Sequence, residues 1–326
     1  MDIFFDQSKY DHLYGCSHLS EVDMQKAVTR DPNLTIPSMI LGTIYLITYV
    51  PTLIVLCKKQ YFQKPHYKLL LLLGVCDLFM TVNSIVYGII YAEGVVFCKD
   101  PSFHFILGII TQACWAGQSL TCVILLLSAV LEVRSKSLSS TLFGGYRTFV
   151  FCGIVIVYMS CFAVFTKPLI FSPATVMPSY NPYANLPKHV VAVDPSEYFN
   201  LPALLNNVAF IAALVASFTA LVLVVGRSKI EVRSKVQVKV IRQCAFACSL
   251  NVIPSAFLIC CQFVSLPIQL GYLFVLLWQM AVGARAIMLL YSNKSIREGY
   301  FDVVFKAKAV SSVGAMYSQP IKDNWI

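Results

Sequence analysis

Charge is what this sequence has least of. Of its 326 residues, 13% are Asp, Glu, Lys or Arg, while 58% are hydrophobic. A soluble domain carries about a quarter charged residues, so a chain this poor in charge cannot cover a water-facing surface, and a bilayer is its natural solvent. None of the twelve Cys forms a C-x-x-C pair, which leaves a structural zinc site unsupported. Ten of the Cys lie in or beside apolar stretches, where they read as small packing residues. The five His are His12, His18, His66, His104 and His189. None shares an apolar stretch with a second His or a metal ligand, so a membrane zinc hydrolase has no ligand set. There is no glycine-rich phosphate loop, and Gly144-Gly145 reads only as a turn. The last apolar stretch holds no Lys, which excludes a retinal Schiff base there. These absences exclude the familiar membrane enzymes, and no cofactor, metal or nucleic-acid partner is expected. The first thirty residues are polar and acidic, with no apolar core before a small-residue cleavage site, so no cleaved signal peptide is expected.

What is there is apolar length. A spanning helix needs about 20 apolar residues, and seven stretches qualify: Leu34–Cys57, Leu69–Ala92, Phe103–Leu131, Thr148–Phe171, Leu201–Val225, Cys244–Leu266 and Leu270–Tyr291. The expected fold is an all-α seven-transmembrane helix bundle over 34–291, after an N-terminal segment 1–33 and before a tail 292–326. The third stretch is long enough to tilt. No internal repeat is visible, so the repeated architectures of secondary transporters do not fit.

Basic residues set the orientation. With the N-terminus outside, the cytosolic segments Lys58–Lys68, Glu132–Arg147, Gly226–Gln243 and the tail hold 18 of the 25 Lys and Arg. The outer segments hold six, and Arg285 lies within the seventh span. The expected location is the plasma membrane. The second outer loop, about Ser172–Asn200, carries five Pro and should be stiff and irregular over the outer mouth. Past the seventh span, an amphipathic helix is expected at about 295–309, lying on the inner membrane surface.

Two charges fall inside the spans, Asp77 in the second and Arg285 in the seventh. At 1.5 Å per residue they sit roughly 12 Å and 10 Å from the cytosolic ends of their helices. Their depths match, so they can pair. The alternative is that Arg285 snorkels to the inner headgroups and Asp77 is a protonated or water-bound carboxyl. A polar layer lies higher: Asn83, Gln112, Asn206 with Asn207, Gln262 and Gln279, mostly about 6–15 Å below the outer surface. With Trp115, Tyr87, Trp278 and Tyr272 as walls, it is the expected ligand pocket. The alternative is hydrogen bonding between helices, worth about 0.6 kcal/mol each. Cys98 begins the third span, the second outer loop has no Cys, and the other clearly external Cys is Cys16. In an oxidising exterior a Cys16–Cys98 disulfide is expected, with two free thiols as the alternative. Asn33-Leu34-Thr35 is a glycosylation sequon abutting the membrane, and Asn293-Lys294-Ser295 is one on the cytosolic side, hence inert.

Several runs resemble the nematode serpentine receptor class T family. They are Ile44-Tyr45-Leu46-Ile47-Thr48-Tyr49-Val50-Pro51, Tyr67-Lys68-Leu69-Leu70-Leu71-Leu72-Leu73-Gly74-Val75-Cys76-Asp77, Asn83-Ser84-Ile85, Gly94-Val95-Val96-Phe97-Cys98, Trp278-Gln279, Gly283-Ala284 and Asn293-Lys294-Ser295-Ile296. The resemblance covers Cys16 to about Ile296. It implies a chemoreceptor-like G-protein-coupled receptor of sensory neurons, whose cilia are a possible site, and it says nothing of ligand. The acid-Arg-aromatic triplet of rhodopsin-like receptors is absent; Glu132 and Arg134 are the nearest residues. The seventh span has Arg285 and no Asn-Pro-x-x-Tyr.

The expected function is a chemosensory receptor for a small-molecule ligand that signals to a heterotrimeric G protein. Ligand binding among the third, fifth, sixth and seventh spans would shift the cytosolic end of the sixth helix, bent at Pro254. The basic third inner loop, Arg227, Lys229, Arg233, Lys235, Lys239 and Arg242, would meet the G protein or anionic membrane lipid. The alternatives are a ligand-gated channel or transporter-like protein, and a receptor-like protein that has lost coupling.

Overall fold

The computed structural model describes residues 5–17, 32–172, 176–184, 186, 193–227, 235–264 and 266–317. Seven helical segments are long and apolar enough to cross a membrane. In chain order the helices are α1 (Gln7–Tyr14), α2 (Pro32–Leu56), α3 (Lys59–Phe62), α4 (Pro65–Glu93), α5 (Pro101–Arg134), α6 (Lys136–Phe143), α7 (Thr148–Phe165), α8 (Leu201–Arg227), α9 (Lys235–Ser249), α10 (Val252–Cys260), α11 (Ile268–Ser292) and α12 (Lys294–Tyr317). The spans are α2, α4, α5, α7, α8, the pair α9 and α10, and α11.

Local chemistry sets the helix ends. Pro65 opens α4 at a position whose N–H has no helical partner, and Gly94 closes it in the left-handed region, φ 64°. Asp100 caps α5 by accepting from the Phe103 N–H, and Pro101 follows it. The fourth span is shorter than expected: α7 stops at Phe165, and Ile170–Ser172 (β1) pairs antiparallel with Met177–Ser179 (β2), Phe171 opposite Pro178. Pro168 cannot continue a helix, and the apolar run beyond it enters the strand at Ile170. The loop expected to be irregular thus holds a short hairpin.

The sixth span is interrupted. The Asn251 N–H bonds to the Cys248 carbonyl at 3.3 Å, one residue short of the helical pattern, and Pro254 offers no N–H to Leu250. The break lies just before the expected bend at Pro254. Helix α9 begins at Lys235, within the expected cytosolic segment 226–243. The terminal helix runs on to Tyr317, past the expected 309.

The third span is the axis of the bundle. Of its most apolar window 72% is buried, against 17% for the fourth, which is peripheral. On α2 the exposed large hydrophobic side chains are Ile36, Ile40, Ile44, Ile47, Val50 and Ile54. Their spacing of three and four residues makes one outward apolar stripe, the reverse of a water-soluble helix and suited to lipid. Inside, α2 and α11 pack so closely that a Cβ on Gly283 would collide with the Tyr45 ring.

One end of the bundle is capped by α1. Asp6 caps this helix through the Ser8 and Lys9 N–H groups. Cys16 and Cys98 are joined in a disulfide with 5.6 Å between Cα atoms. Tyr14 is fully buried, with ring centroids 5.2 Å from Phe105 and 6.2 Å from Phe97. The Tyr183 hydroxyl donates to the Gly15 carbonyl at 3.1 Å. Nearby, the Lys167 ammonium donates to the Phe199 carbonyl at 2.7 Å and to that of Glu197. Burial pushes this amine below the usual lysine range, while the Glu197 charge works the other way. Helix α12 lies at the opposite end, with Ile296 fully buried.

Candidate functional site

Asp77 and Arg285, both almost wholly buried, form an ion pair through Asp77 Oδ1 and Arg285 Nη1. The pair does not stand alone. The Tyr49 hydroxyl donates to Asp77 Oδ2 at 2.6 Å and also lies 2.7 Å from the Val282 carbonyl. Gln118 Nε2 donates to Asp77 Oδ1 at 2.7 Å. On the other partner, Arg285 Nη2 donates to Asn251 Oδ1, and Nε to the Ala247 carbonyl at 3.0 Å. That carbonyl is available because the break in the sixth span removes its ordinary partner, the Asn251 N–H. Five spans therefore meet at two opposite charges. Tyr49, Gln118 and Asn251 were not singled out in the sequence; the available signal was a polar side chain inside an apolar run.

Toward the α1 end, a small, partly open cavity lies between the first, second, third and seventh spans, lined on the hairpin side by Phe171 and Pro178. One wall is a closed hydrogen-bond chain. Thr111 donates to the Leu107 carbonyl at 2.8 Å, so its oxygen accepts from Asn83 Nδ2 at 2.9 Å and from the Tyr87 hydroxyl at 2.9 Å. The facing wall holds unpaired atoms. Gln279 Nε2 donates to the Ser38 carbonyl at 3.5 Å, but Gln279 Oε1 and Ser38 Oγ have no partner among the described residues, although both side chains are buried. Many hydroxyls elsewhere in the spans, such as Thr48, Thr52 and Thr121, satisfy themselves on the carbonyl four residues back.

Of the residues expected to form one pocket, Asn83, Gln279, Tyr87 and Trp278 line this cavity. The others lie elsewhere. Trp115 Nε1 donates to Asn207 Oδ1 at 2.8 Å, and Asn206 accepts from Tyr158 at 3.0 Å and donates to Ser119 at 3.4 Å. These bonds tie the third, fourth and fifth spans together. Trp115 packs on Trp278, centroids 5.1 Å apart, so an aromatic partition separates this group from the cavity. Gln112 accepts from Tyr180 at 3.4 Å. Gln262 accepts from the Asn200 N–H at 2.9 Å and opens onto a separate vestibule with Tyr180, Tyr198 and Phe263. Tyr272 has its hydroxyl 3.3 Å from that of Tyr91.

In the third loop, Lys229 and Arg233 lie outside the described residues, as do the side chains of Arg227, Lys235, Lys239 and the sequon residue Asn33. Arg242 is exposed at the start of the sixth span. Among the described residues no group of three His, Cys, Asp or Glu is placed to hold a metal ion.

Seven apolar helices around a cavity and a central ion pair invite comparison with known seven-helix families. The profile of the serpentine type 7TM GPCR chemoreceptor family Srt matches residues 3–312. The chain belongs to this family. No curated protein matches it. As an Srt chemoreceptor it is a multi-pass membrane protein, and its family is not one of enzymes.

Within this Srt receptor the two polar centres stand on shared helices. Gln279 and Arg285 are six residues apart on α11, and Asp77 and Asn83 are six apart on α4. Each of these two helices therefore carries residues of both the cavity and the ion-pair cluster.

Proposed function

We propose that this serpentine chemoreceptor lies in the plasma membrane with α1 outside and α12 in the cytosol. It binds a small-molecule ligand in the cavity between the first, second, third and seventh spans, and signals to a heterotrimeric G protein. The supporting observation is the cavity itself: a space between four spans, polar on two walls, where Gln279 Oε1 and Ser38 Oγ have no partner among the described residues. A mostly apolar cleft with a few convergent polar groups is the usual form of a ligand site. The basic residues Arg227, Lys229, Arg233, Lys235, Lys239 and Arg242 supply the cytosolic contact, with the G protein and with anionic lipid.

Ligand binding biases the bundle only through a difference in affinity between two arrangements. The bistable element in this reading is the sixth span at its break, held by Arg285. A ligand that shifts α11 or α4 alters the grip of Arg285 on Ala247 and Asn251, and the cytosolic half of the sixth span follows.

The test is a small-molecule screen on cells expressing the receptor with a G-protein readout, run beside voltage clamp. Responses should disappear in Ser38→Phe, which fills the cavity, at unchanged surface level. A ligand-evoked current without G protein would overturn the coupling, and a full response in Ser38→Phe would overturn the site.

A further inference from the structure

Resting on the cavity being the ligand site, we propose that the ligand is an uncharged, largely apolar molecule carrying one hydroxyl, held between Gln279 and Ser38. None of the described residues lining the cavity carries a formal charge. A charged group brought into such a space loses its hydration and finds no counter-ion. The nearby charges, Asp77 and Arg285, are already paired with each other and bonded to Tyr49, Gln118 and Asn251. They are not available to a ligand.

The apolar body follows from the walls. Met80, Tyr91, Phe171, Val275 and Trp278 offer hydrocarbon and aromatic faces. The hydroxyl follows from the hydrogen-bond inventory. Gln279 Oε1 can only accept; Ser38 Oγ can donate or accept. Both lack partners among the described residues, and the two residues are joined by the Gln279 Nε2 to Ser38 carbonyl contact at 3.5 Å. A hydroxyl donates its one proton to Gln279 Oε1 and accepts the Ser38 proton, so both atoms are satisfied at once. A ketone or ether satisfies Ser38 alone and leaves Gln279 Oε1 buried and unmet. An alkylamine is protonated at neutral pH and brings a charge. On the opposite wall, Tyr87 spends its proton on Thr111, so that wall adds an acceptor and asks for nothing more.

A matched set of probes separates these chemistries: phenethyl alcohol, ethylbenzene, phenylacetate and phenethylammonium, which share a body and differ in head group. Each is added to the purified full chain in lipid nanodiscs and the thermal unfolding midpoint is followed against concentration. The alcohol should raise the midpoint, ethylbenzene should need higher concentration, and the two ions should have no effect. Gln279→Leu should weaken the alcohol about tenfold and leave ethylbenzene unchanged. Stabilisation by either ion, or an alcohol no better than ethylbenzene, overturns the hydroxyl assignment, as does a set in which no probe shifts the midpoint. Ser38→Phe distinguishes this failure from failure of the site. If it abolishes the effect of whichever probe acts, the cavity stands and only the class is wrong. If the probes act on it undiminished, the cavity is not where they bind.

Discussion

Arg285 on the seventh span donates its Nε to the backbone carbonyl of Ala247 on the sixth, at 3.0 Å. A carbonyl inside a membrane helix ordinarily belongs to the N–H four residues on, and leaving it unpaired in hydrocarbon is costly. Here the Asn251 N–H is drawn to Cys248, and the guanidinium takes the released oxygen. With Nη2 on Asn251 and Nη1 on Asp77, one side chain closes a break in one helix and neutralises a carboxylate on another.

Breaking the ion pair from one side should be far worse than removing it. Asp77→Asn or Arg285→Met leaves a buried charge without its partner, at a cost of about 3–5 kcal/mol. Surface expression and the unfolding midpoint should fall sharply in each. The double variant Asp77→Asn/Arg285→Met should recover part of the loss, and the swap Asp77→Arg/Arg285→Asp should also recover some. Doubles no better than the singles would count against the pairing.

Asn251→Leu removes the acceptor of Nη2 while leaving the ion pair in place. The expected loss is about 1–3 kcal/mol, that of one unsatisfied buried donor. Wild-type stability in purified Asn251→Leu would show that the guanidinium does not hold the sixth span there.

The Cys16–Cys98 bridge spans 82 residues of sequence and ties α1 to the start of α5. Cys16→Ser, Cys98→Ser and the double variant should lose the same stability, about 2–5 kcal/mol. Non-reducing peptide mapping should recover the linked pair. Free thiols at both positions in folded protein would refute the link.

Gly283 is where the first and seventh spans touch most closely. Gly283→Ala should destabilise by about 1–3 kcal/mol through overpacking, because its Cβ meets the Tyr45 ring. Tyr45→Ala on the same background should relieve it. Failure of the second change to help would mean that the helices slide apart instead.

Epitope tags ahead of α1 and after α12 test the orientation. The first should be reached by antibody on intact cells and the second only after permeabilisation. The reverse result would invert the proposed topology and move the cavity to the cytosolic half.

Much of the architecture is legible in the chain because hydrocarbon leaves few choices. Seven runs of spanning length must become helices, since lipid satisfies no backbone group, and the excess of Lys and Arg in alternate loops is countable. Asp77 and Arg285 are conspicuous for the same reason: each is a charge in an apolar run. The end of α7 at Phe165 is harder to see, because Leu169–Phe171 is as apolar as the helix and only Pro168 marks the change. The helix α1 is short and polar; its link through Cys16 follows from counting the external Cys, but its packing through Tyr14 is a tertiary contact that no local pattern announces.

The order of residues along the chain alone determined seven membrane spans with two charges among them, because hydrophobic length and the position of a charge are properties of the chain read along one dimension. Only the tertiary structure decided which polar residues meet. Asn83 and Gln279 share a cavity while Asn206 and Asn207 are bonded behind the Trp115–Trp278 partition. The side a residue faces depends on the rotation and tilt of its helix, which are set by packing between helices, such as Gly283 against Tyr45, and not by the depth at which the residue lies.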